Sequence, residues 1–124
     1  MKTIICDIDG TLVKYTGEGH LGIMNRAHEL LPGVRERIRR WEAQGHRIIL
    51  ITGRRESIRE RTESELRRLG IPFDILLMGY ADEGRFLIND LSHNGKVKGY
   101  AVNVERDKGW NNYDWPSIGL DNPL

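Results

Sequence analysis

The chain has 124 residues, 39% of them hydrophobic and 30% charged, and Leu, Ile, Val and Phe together number 33. That apolar share exceeds the roughly 20% below which chains stay disordered, and the length suits one core in a single domain. Nineteen basic against eighteen acidic side chains leave a net charge of +1, which argues against a wholesale electrostatic nucleic-acid binder. A lone cysteine excludes an internal disulfide and fits a reducing cytoplasm. The opening residues meet charge at Asp7 and Asp9, too soon for a signal peptide, and no apolar run reaches membrane-spanning length. A soluble cytoplasmic chain with no membrane association is expected.

Residues 3–8 (TIICDI) form a short apolar, β-rich run, which predicts a buried strand closing at Asp7, Asp9 and Gly10. Residues 12–31 are mixed and glycine-rich, with room for a short helix over 24–31. Pro32-Gly33 opens a helix over 34–45, with Val34, Ile38 and Trp41 on one face and Gly45 as its stop. Residues 47–51 predict a second buried strand. Ser57 and Glu60 have capping-box spacing for a helix to Leu69, with Ile58, Thr62, Leu66 and Leu69 inward and Gly70 beyond. Residues 73–78, 85–88 and 100–104 predict strands three, four and five, and the alternation implies a mostly parallel α/β sheet. The connection over 90–99 is too short for a helical crossover, and Asn94-Gly95 is a hairpin-turn pair. Strand five therefore runs antiparallel to strand four or crosses over without a helix. Residues 110–124, rich in Asn, Asp, Pro and Trp, read as an irregular tail.

Several motifs are set aside. Residues 17–22 match G-x-G-x-x-G to the letter, but the dinucleotide fingerprint needs those glycines directly after the first strand, so a glycine-rich flap is the better reading. Cys6 lacks the arginine that a phosphatase cysteine needs six positions on, where Leu12 stands, and reads as a small buried strand residue. His20, His28, His46 and His93 have no ligand spacing. Residues 35–68 hold eleven arginines against six glutamates, which suits either a nucleic-acid-facing patch or two solvated helices with pairs such as Glu36–Arg40. The solvated helices are the simpler account.

Three features carry chemistry. Asp7-Ile8-Asp9-Gly10-Thr11 places two carboxylates at a strand end, where the turn at Gly10 lets Asp9 swing out beside Asp7. Carboxylates there are costly without a cation or a reaction to use them, and a hard cation such as Mg²⁺ fits. Thr52-Gly53-Arg54 follows strand two with a hydroxyl and bare backbone N–H groups ahead of a helix, which suits a phosphate oxygen. Asn89-Asp90 closes strand four with another carboxylate. Ligands bind at the carboxyl ends of strands in open α/β sheets, where all three would lie.

These residues resemble the motifs of the haloacid dehalogenase (HAD) superfamily of aspartyl-phosphate phosphatases. The first motif is matched by Ile4 through Leu12, the second by Ile48 through Thr52 with Gly53-Arg54, and the fourth, less fully, by Phe86 through Asp90. The resemblance spans roughly residues 3–104 and implies a three-layer α/β fold of Rossmann-like type with a mostly parallel sheet. It implies that Asp7 is the nucleophile and a Mg²⁺ ligand, and that Asp9 is the general acid–base, with its carbonyl on the metal. Thr52, with Gly10, Thr11, Gly53 and Arg54, would hold the phosphoryl group, and Asp90 would complete the Mg²⁺ site. Asn89 stands where the family has an acid.

The family's lysine before the fourth motif is missing, since residues 76–84 contain none. If Arg85 opens a regular strand, it starts about 13 Å from the site, so Arg54 and the Lys96/Lys98 loop rank above it as the compensating charge. The spacing leaves no room for a cap domain, and the resemblance is to minimal members that take large substrates or close the site by forming homo-oligomers. Residues 71–90, with Asn103 through Arg106, look like small sugar-phosphate phosphatases of capsule and surface-sugar pathways. Residues 52–78 look like phosphatase domains that remove polynucleotide 3′-phosphates. A small phosphorylated substrate such as a sugar phosphate is the leading expectation and a nucleic acid the alternative. The rival from another class is a non-catalytic phosphate-binding domain.

Overall fold

The computed structural model describes residues 1–15, 27–81 and 83–121. The glycine-rich flap at 17–22, with His20, lies outside these residues, as does the first part of the 24–31 helix. The described part of that segment is not helical: Leu30 bridges antiparallel to Val13.

Three strands make one parallel sheet in the order β1 (Thr3–Cys6), β2 (Arg47–Thr52), β3 (Ile75–Met78). Helix α1 (Val34–Ala43) lies between β1 and β2, and helix α2 (Arg59–Arg68) between β2 and β3. The apolar runs explain the strands, because β2 is central and buries Ile48, Leu50 and Thr52 on one side. Val34, Ile38 and Trp41 of α1 are buried as their spacing predicts. Both helices pack their apolar residues into a core with Ile8, Leu12, Val13, Ile48 and Leu50.

Four expectations are corrected. The capping box at Ser57 and Glu60 does not form: a 3₁₀ turn over Glu56–Ile58 leads into α2, and neither element has a side-chain cap. Ser57 thus lies inside the entry turn rather than at its cap position. Residues 85–88 and 100–104 are not strands, and Phe86 and Ile88 are each 91% exposed. A short apolar run becomes a buried strand only where a neighbouring edge is at hand, and among the described residues the outer edge of β1 pairs with nothing. The expected reversal does occur, since Ser92 N–H bonds Lys96 O at 2.9 Å and Gly95 N–H bonds Ser92 O at 2.8 Å, but no ladder extends from it. Finally, the tail is not idle. Trp110 and Trp115 are buried and pack with Trp41 at centroid distances of 5.3–5.6 Å, and Trp115–Ile118 is a 3₁₀ turn. Asp121 accepts from Trp41 Nε1 at 2.8 Å and pairs with Arg37. The three-layer arrangement is therefore described only as three parallel strands, two helices and this tail on α1.

Among the described residues no helix is long and apolar enough to cross a membrane.

Candidate active site

Cys6 of β1 pairs in register with Leu50 of β2, so Asp7 to Asp9 leave the sheet beside Ile51 to Gly53. The chain then turns tightly. Ile8 O accepts from the N–H groups of Thr11, Leu12 and Val13, and Gly10 N–H bonds Val13 O at 2.7 Å. Gly10 has φ +84°, a left-handed conformation that L side chains adopt at a cost. Ile8, Leu12 and Val13 are fully buried and anchor this loop, which leaves Asp7 and Asp9 at its rim.

The two carboxylates have different surroundings. The Asp7 side chain is 29% exposed; its Oδ1 lies 3.0 Å from Arg85 Nη1, and its Oδ2 accepts from Thr11 Oγ1 at 3.3 Å. Asp9 is 16% exposed and is gripped bidentately, Arg54 Nε donating to Oδ2 at 2.9 Å and Nη2 to Oδ1 at 2.8 Å. Arg54 is only 5% exposed and also donates to Glu65 Oε1 and Thr62 Oγ1, each at 3.2 Å. Glu65 in turn meets buried His28 Nδ1 at 2.6 Å. Burial pulls the Arg54 pKa down, but the hydrogen bond and charge of Asp9 and the charge of Glu65 outweigh it and hold the guanidinium above its ordinary value. A planar bidentate fork of this kind fixes a carboxylate in orientation as well as in charge.

Thr52 is buried, and its Oγ1 accepts the Arg54 N–H at 3.0 Å, which leaves the hydroxyl proton to donate. Gly79 N–H bonds Arg54 O at 2.8 Å and Tyr80 N–H bonds Thr52 O at 3.0 Å, so the segment after β3 secures the loop after β2. Gly53 is exposed beside them. Burial first, and the charge of Asp7 second, push the Cys6 thiol well above its usual range, in keeping with an inert strand residue.

The sequence-predicted site is thus assembled in part. Asp7, Asp9, Gly10, Thr11, Thr52, Gly53 and Arg54 converge on one end of the sheet. Asp90 does not join them: its side chain is 79% exposed and pairs with Lys98, and Lys96 contributes only a backbone contact to Ser92. The reason is the missing fourth strand, which was to carry Asp90 alongside Asp7. The ranking of cations also changes. Arg85 lies in a loop that folds over the site and reaches Asp7, Arg54 is committed to Asp9, and Lys98 is spent on Asp90.

No cluster of three or more His, Cys, Asp or Glu side chains suited to a metal occurs among the described residues. The expected Mg²⁺ set of Asp7, the Asp9 carbonyl and Asp90 is therefore not gathered, and arginines offset the charge of Asp7 and Asp9. As placed, Asp7 and the Asp9 backbone share the end of the sheet while Asp90 lies apart from them, so only part of that set is at hand. Glu65 and His28 escaped the sequence reading because they meet Arg54 only through tertiary packing; the inward face of α2, with Thr62 and Leu66, was the one available signal.

A family model described as the polynucleotide kinase PNKP phosphatase domain (HAD_PNKP) matches residues 1–85. A chain in the structure of a Pnkp1/Rnl/Hen1 complex is 32% identical with a TM-score of 0.57, over 68% of this chain and 30% of that one. A chain in a structure of the Pnkp1/Rnl/Hen1 RNA repair complex is 33% identical, also with a TM-score of 0.57, over 68% of this chain and 27% of that one. This chain thus spans less than a third of the length of those relatives. A Vibrio cholerae protein solved as a structural-genomics target shares the fold at 22% identity and a TM-score of 0.50, over 72% of this chain and 80% of its own. No curated protein matches.

Proposed function

We propose a reaction from the premise that this chain belongs to the family of the polynucleotide kinase PNKP phosphatase domain, within the HAD superfamily: hydrolysis of the phosphomonoester at the 3′ end of a polynucleotide. This puts the nucleic-acid substrate ahead of the sugar phosphate that the sequence favoured. An RNA end is the first to try, because one matched chain belongs to an RNA repair complex.

The carrying observation is the inequality of the two carboxylates, Asp7 at the rim and Asp9 clamped by a buried arginine. In the proposed first step an Asp7 oxygen attacks phosphorus and the bond to the 3′ oxygen breaks. The leaving oxygen takes a proton from the Asp9 carboxyl. In the second step Asp9, now a carboxylate, takes a proton from water as that water attacks phosphorus. The P–O bond to Asp7 breaks and inorganic phosphate leaves. The Arg54 fork fixes the orientation of the Asp9 carboxyl group at the rim for both proton transfers. Arg85, released from Asp7 by the incoming phosphate, offsets charge on the phosphoryl oxygens, and Thr52 donates to one of them.

Phosphate release from a 3′-phosphorylated RNA oligonucleotide, a panel of sugar phosphates and an aryl phosphate, each with and without Mg²⁺, tests this reading. The oligonucleotide is expected to have the highest kcat/KM, and Asp7→Asn to release nothing. Preference for a sugar phosphate would restore the other substrate class. Hydrolysis of none would favour a phosphate-binding domain without turnover.

A further inference from the structure

Residues 105–109 form a turn that is clasped to the nucleophile loop. Asp107 N–H bonds Gly10 O at 2.9 Å, and the Asp107 carboxylate accepts from Tyr15 N–H at 2.7 Å. Asp107 does this at φ +63°, a conformation unusual for a residue with a side chain, so the turn is held by its contacts. The clasp lays Arg106 across the site's edge. A Cβ on Gly10 would stand 3.2 Å from Arg106 Cγ, so the arginine stem rests directly on the turn between the two carboxylates and the core. Its guanidinium carbon lies 5.0 Å above the centroid of the Tyr15 ring. Arg106 is exposed and makes no ion pair among the described residues, unlike Arg54 and Arg85.

We infer that Arg106, held over the Tyr15 ring and braced on Gly10, reads the phosphodiester next to the terminal phosphate and so selects a polynucleotide end over a small phosphomonoester. The inference rests on the proposed phosphatase reading and names its substrate contact. The Tyr15 ring lies under the guanidinium, and among the described residues no acid pairs with the N–H groups of Arg106. Those groups form the fork that matches two oxygens of a phosphate. A small phosphomonoester with a single phosphate would be met by Asp7, Thr52 and Arg85 alone. Only a substrate with a further anionic group beyond the leaving oxygen can use a cation anchored at the rim. A cation needed at the reacting phosphorus would instead sit on Asp7 or Asp9, where Arg85 and Arg54 are.

The test uses the full chain and the variants Arg106→Ala, Arg106→Lys and Tyr15→Ala, with folding checked by thermal melting. Binding of a fluorescein-labelled 3′-phosphorylated RNA oligonucleotide is followed by anisotropy across a range of KCl concentrations. Arg106→Ala should weaken binding about tenfold and flatten the slope of log K against log salt by about 0.7, the amount for one phosphate contact on a single strand. Arg106→Lys keeps the slope because it keeps the charge, while Tyr15→Ala weakens binding less than Arg106→Ala. In turnover, Arg106→Ala should lose far more kcat/KM on the oligonucleotide than on an aryl phosphate, with the difference in KM. An unchanged affinity and salt slope, or equal losses on both substrates, would overturn the inference. Aryl phosphate turnover by a protein that does not bind the oligonucleotide also overturns it and leaves the phosphatase reading standing. Oligonucleotide binding that depends on Arg106, without turnover of any substrate, supports it and removes the phosphatase reading.

Discussion

Replacing Arg54 by Met keeps most of its volume and removes its charge. The change deletes two hydrogen bonds to Asp9, one to Glu65 and one to Thr62. It leaves the Asp9 and Glu65 carboxylates, 16% and 8% exposed, facing each other across an apolar side chain. Breaking a buried ion pair by removing one partner costs about 3–5 kcal/mol, and the orphaned Thr62 hydroxyl adds to this without simple additivity. The existing contact of His28 with Glu65 is untouched by the change. The net expectation is a destabilisation of about 3–4 kcal/mol, a large share of the 5–15 kcal/mol typical of a domain. Urea titration followed by the fluorescence of Trp41, Trp110 and Trp115 reads it directly. A double cycle with Glu65→Gln should recover roughly 1 kcal/mol or more, because the second change removes one of the two unpaired charges. Arg54's raised pKa gives stability that is fully present below the ordinary guanidinium range and is lost only as pH rises through the folded value. A loss below about 1 kcal/mol for Arg54→Met would refute the claim that this network is buried and coupled.

Other expectations follow from the same contacts. Cys6, buried and with its thiol pushed up, should react with a disulfide reagent only after unfolding, and labelling at neutral pH in native buffer would show otherwise. Trp115→Ala should cost about 3–5 kcal/mol, because the ring packs on Trp41 and Trp110 and its Nε1 bonds Trp110 O at 2.9 Å; an unshifted urea midpoint would return the tail to surface status. His46 accepts Lys2 N–H at 3.0 Å, and burial first, then the charge of Lys2, hold its pKa below the ordinary value. Its contribution is therefore present above about pH 6.5 and fades as pH falls through the folded value, so His46→Gln should flatten the drop in urea midpoint between about pH 7.5 and about pH 5.5.

The features fixed by local pattern were readable from sequence. The run at 3–6 is apolar and ends at paired acids, so the position of Asp7 and Asp9 at a strand end followed from periodicity and burial cost. The 34–45 helix was readable because Val34, Ile38 and Trp41 recur at helical spacing before Gly45. Tertiary features were not. The tail's role depends on Trp110 and Trp115 meeting Trp41 some seventy residues away, and an isolated tryptophan carries no period. The place of Arg85 was misjudged because a regular strand was assumed from residue 85 onward. In a loop the same residue folds over and touches Asp7. Phe86 and Ile88 misled for the complementary reason: apolar composition predicts burial only where another surface exists to receive it.

The central claim is that Asp7 attacks phosphorus, and rapid-quench trapping tests it most directly. A 3′-³²P-phosphorylated RNA oligonucleotide is mixed with excess protein, quenched in acid within milliseconds, and the protein is digested and sequenced by mass spectrometry. The account predicts a transient phosphoryl group on the peptide that contains Asp7, absent in Asp7→Asn and formed more slowly in Asp9→Asn, which can neither protonate the leaving oxygen nor deprotonate water. Release of phosphate by the Asp7→Asn variant, or label on another residue, would contradict it.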